Sequence, residues 1–375
     1  MLFLGTLLWQ QNYLVDWNHM KKSENVMLRL NLSSGEPPNM ANTNVKIHLV
    51  VFVDAHFKRK YRLQLETIQC YAEANNYVML TQSGDEMDHK DCSKERIPTY
   101  FLRRHCHLAS LMETFAEDDY FVLLDADTMA FDLTRKFPEE YLKFDLALYE
   151  RSWNGEVHIH MGIKNKPTVR EWIKLWSLED KQPHVPSKQY YYSSDNGLLH
   201  VLLMKWFVLG IRTVSSMSDI TSKMWSERNQ RVAVMCIEMF SNLKIAHKHL
   251  LSFKDLEQYW SFIQCARVAL TMQGRGDKFA PWTDGPRDDY ILTDFRNNGV
   301  EMKSQGISLK IFPRFHGFAL DNFMKKNASE HVVFLHAAKK KDDVLEVWQT
   351  SDNLTMPSHN LNSQLSIYPQ CRIKT

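Results

Sequence analysis

The chain reads as an α/β fold, a Rossmann-type mixed sheet flanked by helices with an irregular C-terminal cap. Three observations carry that reading. Short apolar runs alternate with stretches of helical periodicity through residues 45–210. The first three of these segments form a strand, a helix and a strand within about 35 residues, the signature of a parallel βαβ unit. A later run, Tyr120 to Leu124, is apolar throughout and stops at two aspartates, as a strand buried on both faces would.

The elements follow in order. Residues 10–44 are polar and mixed, with Ser34, Gly35, Glu36, Pro37 and Pro38 together, and read as a stem or linker. Order begins at Val45, and the strand through Val53 ends at Asp54. Tyr61 to Asn75 carries Leu65, Ile68, Tyr71 and Ala72 at helical spacing and stops at Asn75 and Asn76. Tyr77 to Leu80 is the next strand. A polar loop leads to a helix over Phe101 to Phe115 and then to the strand ending at Asp125. Phe144 to Tyr149 is another strand. Val157, Ile159, Met161 and Ile163 alternate with His158, His160 and Gly162, a period of two that predicts a half-exposed strand. Pro167 suits the first turn of a helix to Trp176. Ser194 or Asp195 is a natural N-cap for an apolar helix over Leu198 to Leu209. Beyond Gly210 the pattern weakens. Gln230 to Phe240 suits helix or strand, Leu256 to Met272 a helix, residues 273–286 a surface loop, and Val332 to Leu335 a strand leading to His336. The expected organisation is an N-terminal segment at 1–44, a main domain at 45–350 and a tail at 351–375.

Composition allows a sizeable core, since 44% of 375 residues are apolar and 12% aromatic. A net charge of +2 gives no sign of a nucleic-acid partner. Six cysteines lack metal-site spacing, which argues against zinc and is compatible with disulfides. Sequons at Asn31, Asn327 and Asn353 agree with a secreted or luminal setting. Leu2 to Trp9 is apolar but far shorter than the roughly 20 residues of a membrane span. It reads as part of a signal anchor, a poor signal peptide, or a strand.

The chemistry centres on Asp125 and Asp127. Two carboxylates one residue apart lie on the same side of an extended backbone, at a strand end where α/β folds collect ligands. They can share one hard divalent cation, whose other ligands would be phosphate oxygens and water. His158 and His160 also share one face of their strand, a further metal pair in principle. It has no evident third ligand, and such a pair on a half-exposed strand reads as structural.

Several segments together resemble one family. They are Cys70-Tyr71 with Asn76-Tyr77, then Phe101 to Cys106, Leu123 to Asp127, Gly162 to Asn165, and Ser194 to His200. In this order they are similar to the nematode-expanded group known as domain of unknown function 273, a nucleotide-diphospho-sugar transferase family. The resemblance implies a GT-A fold, a divalent metal (Mn2+ or Mg2+), a nucleotide-sugar donor such as a UDP- or GDP-sugar, a glycan or glycoprotein acceptor, and residence in the Golgi or another secretory lumen. Type II membrane anchoring or secretion would both suit that setting. It implies Asp125, Asp127 and His336 as metal ligands, and Asp195 and Asn196 as residues facing the sugar. Arg103, Arg104 and Lys339 would face the diphosphate, and Asp54 the nucleotide base. Each has a plainer reading: Asp195 as a cap, the arginines as partners of acidic neighbours, His336 as a core or surface histidine, Lys339 as a solvated lysine. The C-terminal match is looser. The family tends to a His-Gly-Trp-Lys-like segment where this chain has His336, Ala337, Ala338 and Lys339.

Two other functions compete with a metal-dependent glycosyltransferase. One is a catalytically inactive sugar- or nucleotide-binding relative, suggested by the altered C-terminal segment. The other is a nucleotidyltransferase, disfavoured because Val53 to Phe57 lacks a Gly-rich basic loop.

Overall fold

The computed structural model describes residues 45–339, apart from 84–89, 152–154, 179–195, 214–216, 244–252, 276–294 and 323–330 and positions 95, 98–99 and 296–297. Val45–Thr375 cluster as one unit. β1 (Ile47–Val53) is buried along its whole length. Val50 and Phe52 enter one core, while Leu49, Val51 and Val53 enter the core on the opposite face. Apolar surface on both faces is why this strand lacks alternation in the sequence.

Asp54 ends β1 and caps α1 (Ala55–Lys60), its carboxylate accepting the Phe57 amide at 2.6 Å. α2 (Arg62–Asn75) packs Leu65, Ile68, Tyr71 and Ala72 inward and stops at Asn76, which is left-handed with φ 57°. β2 (Val78–Ser83) pairs parallel with β1. α3 (Tyr100–Met112) leads to β3 (Tyr120–Leu124), parallel to β1 on its other side. β4 (Met129–Ala130) leaves this sheet; β5 (Leu146–Tyr149) and β6 (Met161–Lys164) rejoin it, β6 lying antiparallel between β3 and β5. The strand expected over 157–163 is regular only from Met161, and Val157 makes a single bridge to Glu150.

α4 (Pro167–Leu178) covers one face. α5 (Asn196–Leu203) continues into a π-helical turn, Met204–Val208. α6 (Met217–Ser222), α7 (Arg228–Ser241) and α8 (Phe253–Arg275) follow, so the ambiguous segment near Gln230 is helical. The C-terminal part is more regular than its sequence suggested. β7 (Val300–Ser304) and β8 (Ile307–Phe312) form a hairpin whose loop, Gln305 and Gly306, has positive φ at both positions. This hairpin completes a seven-stranded mixed sheet, β2-β1-β3-β6-β5-β8-β7. β9 (Ala319–Asp321) and β10 (Phe334–His336) join β4 in a second sheet, β4-β10-β9.

Two disulfides brace the layers. Cys92–Cys106 ties the turn before α3 to α3, and Cys236–Cys265 ties α7 to α8. Bridges closing loops of this size contribute on the order of 3 kcal/mol each in the chain-entropy account. Among the described residues no helix is long and apolar enough to cross a membrane.

Candidate functional site

The site forms where four segments reach one end of the main sheet. Asp125 directly follows β3. Register pairs Leu123 with Met161, so the residues just before β6 return beside it. The β10–β4 pairing sets Leu335 against Met129, which carries His336 next to the Asp125–Asp127 turn. Backbone bonds pin that arrangement: the Ala338 amide donates to the Asp127 carbonyl at 3.0 Å, and buried Gln64 donates to the Ala338 carbonyl at 2.5 Å.

His336 Nε2 lies 3.5 Å from Asp125 Oδ2 and 3.5 Å from Asp127 Oδ1. The three residues expected to share a cation are therefore brought together. Asp125, His158, His160 and His336 each also offer a ligand atom within 4.8 Å of the others. His158 and His160 are 2% and 0% exposed, so the expectation of a half-exposed strand with a separate histidine pair is corrected: the second sheet covers that face.

Hydrogen bonding separates the three imidazoles. An amide N–H can only donate, so His160 Nε2 accepts from the Asp125 amide at 3.0 Å. Burial pushes the His160 pKa down and the ring is neutral, which leaves its proton on Nδ1, facing the Tyr149 hydroxyl at 3.2 Å. His158 Nδ1 accepts the His160 amide at 3.0 Å, so its proton sits on Nε2; burial lowers its pKa well below the usual value too. Both rings spend a lone pair on the backbone: His160 props the end of β3 at Asp125, and His158 holds the backbone of His160. His336 differs. Its Nδ1 is 2.9 Å from Asp321 Oδ1, leaving Nε2 toward the two aspartates. Burial alone would lower its pKa, but hydrogen bonds to Asp125 and Asp321 and the charge of Asp127 outweigh this and raise it to about 9. Once the Nε2 proton has left, two carboxylates and one imidazole lone pair fit a divalent cation such as manganese or magnesium.

The remaining candidates divide. Arg104 is buried on α3 and donates to Asp125 Oδ1 at 2.6 Å. Burial would raise the Asp125 pKa, but Arg104, with His336, holds it well below the usual range. Arg103 lies over the Tyr100 ring at 5.9 Å, and its buried Nη1 has no hydrogen-bond partner among the described residues. His105, beside them in sequence, turns away and stacks on Trp176 at 3.6 Å. Asp54 serves as the α1 cap. Lys339 is exposed. Asn196 opens α5, and its carbonyl accepts from His200 Nδ1 at 2.8 Å. Asp195 lies outside the described residues. Sequence reasoning missed Asp321, which ends a three-residue strand with no pattern of its own. It also missed Arg151, which grips Asp321 through Nη2 at 2.7 Å and Nε at 3.3 Å.

Other quoted motif residues build the scaffold. A Cβ at Gly162 would overlap the Tyr120 hydroxyl, so only glycine fits between those strands. The Asn165 amide donates to the carbonyls of Met112, Phe115 and Ala116 at the end of α3. His200 Nε2 accepts from the Val157 amide at 3.1 Å, tying α5 to the segment entering β6.

Over residues 68–261, a little more than half of its length, the chain matches the family described as protein of unknown function, DUF273. The chain belongs to that family. The match spans β3, the Asp125–Asp127 turn, the His158–His160 segment and α5, and stops before Asp321 and His336. No curated protein matches this DUF273 chain. Among solved structures it is similar to a glycosyltransferase involved in the glycosylation of the major capsid of PBCV-1. That likeness has 14% identity and a TM-score of 0.29, covering 37% of this chain and 69% of the other.

Proposed function

We propose that this DUF273 chain is a metal-dependent glycosyltransferase of the GT-A type. It would move a hexose or pentose from a nucleotide-diphosphate sugar to a glycan or protein acceptor. The observation that supports this reading most is the convergence of Asp127, Asp125 and His336 Nε2 at the strand end, with both aspartates 3.5 Å from that nitrogen. Asp125, Asp127 and His336 would hold Mn2+ or Mg2+. Such a cation, when bound, supplies positive charge against the growing charge of a diphosphate leaving group.

The chain's own groups divide the remaining work. His160 holds the Asp125 backbone in place, His158 holds the backbone of His160, and Arg104 fixes the Asp125 carboxylate. Arg103, with a buried Nη1 still to satisfy, would donate to a phosphate oxygen. Lys339, exposed three residues beyond His336, would meet a phosphate as a point charge. Asp54, at the end of β1, would lie beside the nucleotide base. Asn196, the first residue of α5, and Asp195, which precedes it in the sequence, would face the sugar. The two disulfides favour an oxidising compartment, in keeping with a Golgi or other secretory lumen.

The test is a thermal-shift panel of UDP- and GDP-sugars with and without Mn2+, followed by an assay for hydrolysis of any donor that stabilises the protein. A donor that binds the native state raises the melting temperature by mass action. Manganese-dependent stabilisation with slow donor hydrolysis is the expected result. Stabilisation without any hydrolysis would point to the inactive binding relative. No stabilisation by any donor would defeat the proposal.

A further inference from the structure

We propose that Asp321 is the positioning residue for His336, holding the imidazole so that Nε2 and not Nδ1 faces Asp125 and Asp127. This rests on the reading of those three residues as a cation site. β9 and β10 run parallel, with Asp321 paired in register with His336, so the two side chains leave neighbouring strands together. Asp321 Oδ1 is 2.9 Å from His336 Nδ1. Asp321 is 4% exposed and cannot turn to water instead. Arg151 grips it from the other side, with Nη2 at 2.7 Å from Oδ1 and Nε at 3.3 Å from Oδ2. Arg151 is itself held by Glu156 at 3.5 Å. Both Asp321 oxygens are therefore engaged, and the carboxylate can neither rotate nor reach across the ring to be a ligand.

The consequence is a choice between two ring nitrogens. A fixed acceptor on Nδ1 keeps the ring proton there and leaves the Nε2 lone pair for a cation. Without that acceptor the ring can rotate about its side-chain bonds or carry its proton on Nε2, and either change removes the lone pair from the two aspartates. His158 and His160 cannot replace it, because their acceptor nitrogens already take backbone amides. The anchor is thus specific to one of the three histidines in the cluster. It is contributed by a strand outside the matched family segment.

The experiment compares Mn2+ affinity, measured by electron paramagnetic resonance of free ion, and the visible spectrum of bound Co2+ across variants. Asp321→Ala should weaken Mn2+ binding by about 10–100-fold, the usual effect of losing the partner of a ligating histidine. The Co2+ spectrum should shift as a nitrogen ligand is lost. Asp321→Asn, which keeps an oxygen for Nδ1, should recover most of the affinity. Asp321→Ala with Arg151→Met removes both buried charges, so the loss can be read even if Asp321→Ala alone does not fold. A folded Asp321→Ala or double variant that binds Mn2+ as tightly as the wild type, with an unchanged Co2+ spectrum, would overturn the proposal. Asp127→Asn separates the two ideas. If it too binds Mn2+ normally, the cation site itself is misread; if it alone loses binding, only the role of Asp321 falls.

Discussion

His200 is a buried imidazole and His336 a half-buried one, and the protonation of the two goes opposite ways. His200 sits between the Asn196 carbonyl and the Val157 amide, two neutral groups. Burial dominates there and lowers its pKa to about 4. His336 sits among three carboxylates, and they carry its pKa to about 9 against the same effect of burial. The contrast extends to the two regions. Around His200, polar groups close small neutral circuits that fasten a helix to a strand. Around His336, Asp125, Asp127 and Asp321 gather with Arg104 and Arg151 in one charged network. Carboxylates held this close together are costly unless positive charge completes them, and a cation there would take the place of the His336 proton. That concentration of charge, more than the count of histidines, distinguishes the candidate site from the frame.

The largest expected effect tests that concentration of charge directly. Asp127→Asn should abolish manganese-dependent donor binding while the melting temperature stays near that of the wild type, because among the described residues no arginine pairs with its carboxylate. Asp125→Asn should lose binding as well and also lower stability in urea unfolding, because it removes the carboxylate charge 2.6 Å from Arg104, which is 5% exposed. If both variants unfold alike, the carboxylates belong to the frame and the contrast with His200 disappears.

A second expectation concerns pH. The folded pKa of His200 lies below the unfolded value near 6.5, so its contribution to stability is complete above about pH 6.5 and is lost as pH falls toward 4. A shift of this size corresponds to about 3 kcal/mol. Urea unfolding from pH 7.5 to 4 should show the wild type losing its advantage over His200→Gln by up to that amount. A gap that stays constant across the range would mean that His200 is not held neutral.

How much of this was legible is clearest residue by residue. β1 and β3 were readable because burial on both faces leaves uninterrupted apolar runs, and Asp125 and Asp127 were readable because they close one of them. His336 was within reach only through the order of motifs. Asp321 was not, since its strand is three residues long and its partnership with His336 spans 15 positions. His158 and His160 were placed on the correct common face, but alternation cannot reveal that a second sheet covers it. Arg104 and His105 look interchangeable in the sequence; helical geometry turns one toward Asp125 and the other toward Trp176. The hairpin of β7 and β8 alternates in burial, yet its Gln305–Gly306 loop lacks the usual Asn-Gly or Asp-Gly signal.

A smaller effect is expected on the frame. Gly162→Ala would push a methyl group into the Tyr120 hydroxyl, which donates to the Tyr141 carbonyl at 2.8 Å. Overpacking of this kind costs about 1–3 kcal/mol. Mn2+ affinity of the folded fraction should not change, and a selective loss of metal binding would instead join this part of β6 to the site.

The smallest effect concerns Ala337, the residue after His336. Its φ is 60°, a left-handed conformation that costs a residue with a Cβ about 1–2 kcal/mol. The strain is sustained by its neighbours. Ala338 is fixed at both backbone groups by Asp127 and Gln64, and His336 is paired through β10, so the chain between them has to turn at Ala337. This chain makes the turn with alanine, a residue that carries a Cβ. Ala337→Gly should relieve the strain but add about 0.4–1 kcal/mol of unfolded-state entropy, leaving a net gain between about 0 and 1.6 kcal/mol. Differential scanning calorimetry should therefore show a small upward shift in melting temperature, with Mn2+ affinity unchanged. A large rise in affinity would mean that alanine distorts the cation site.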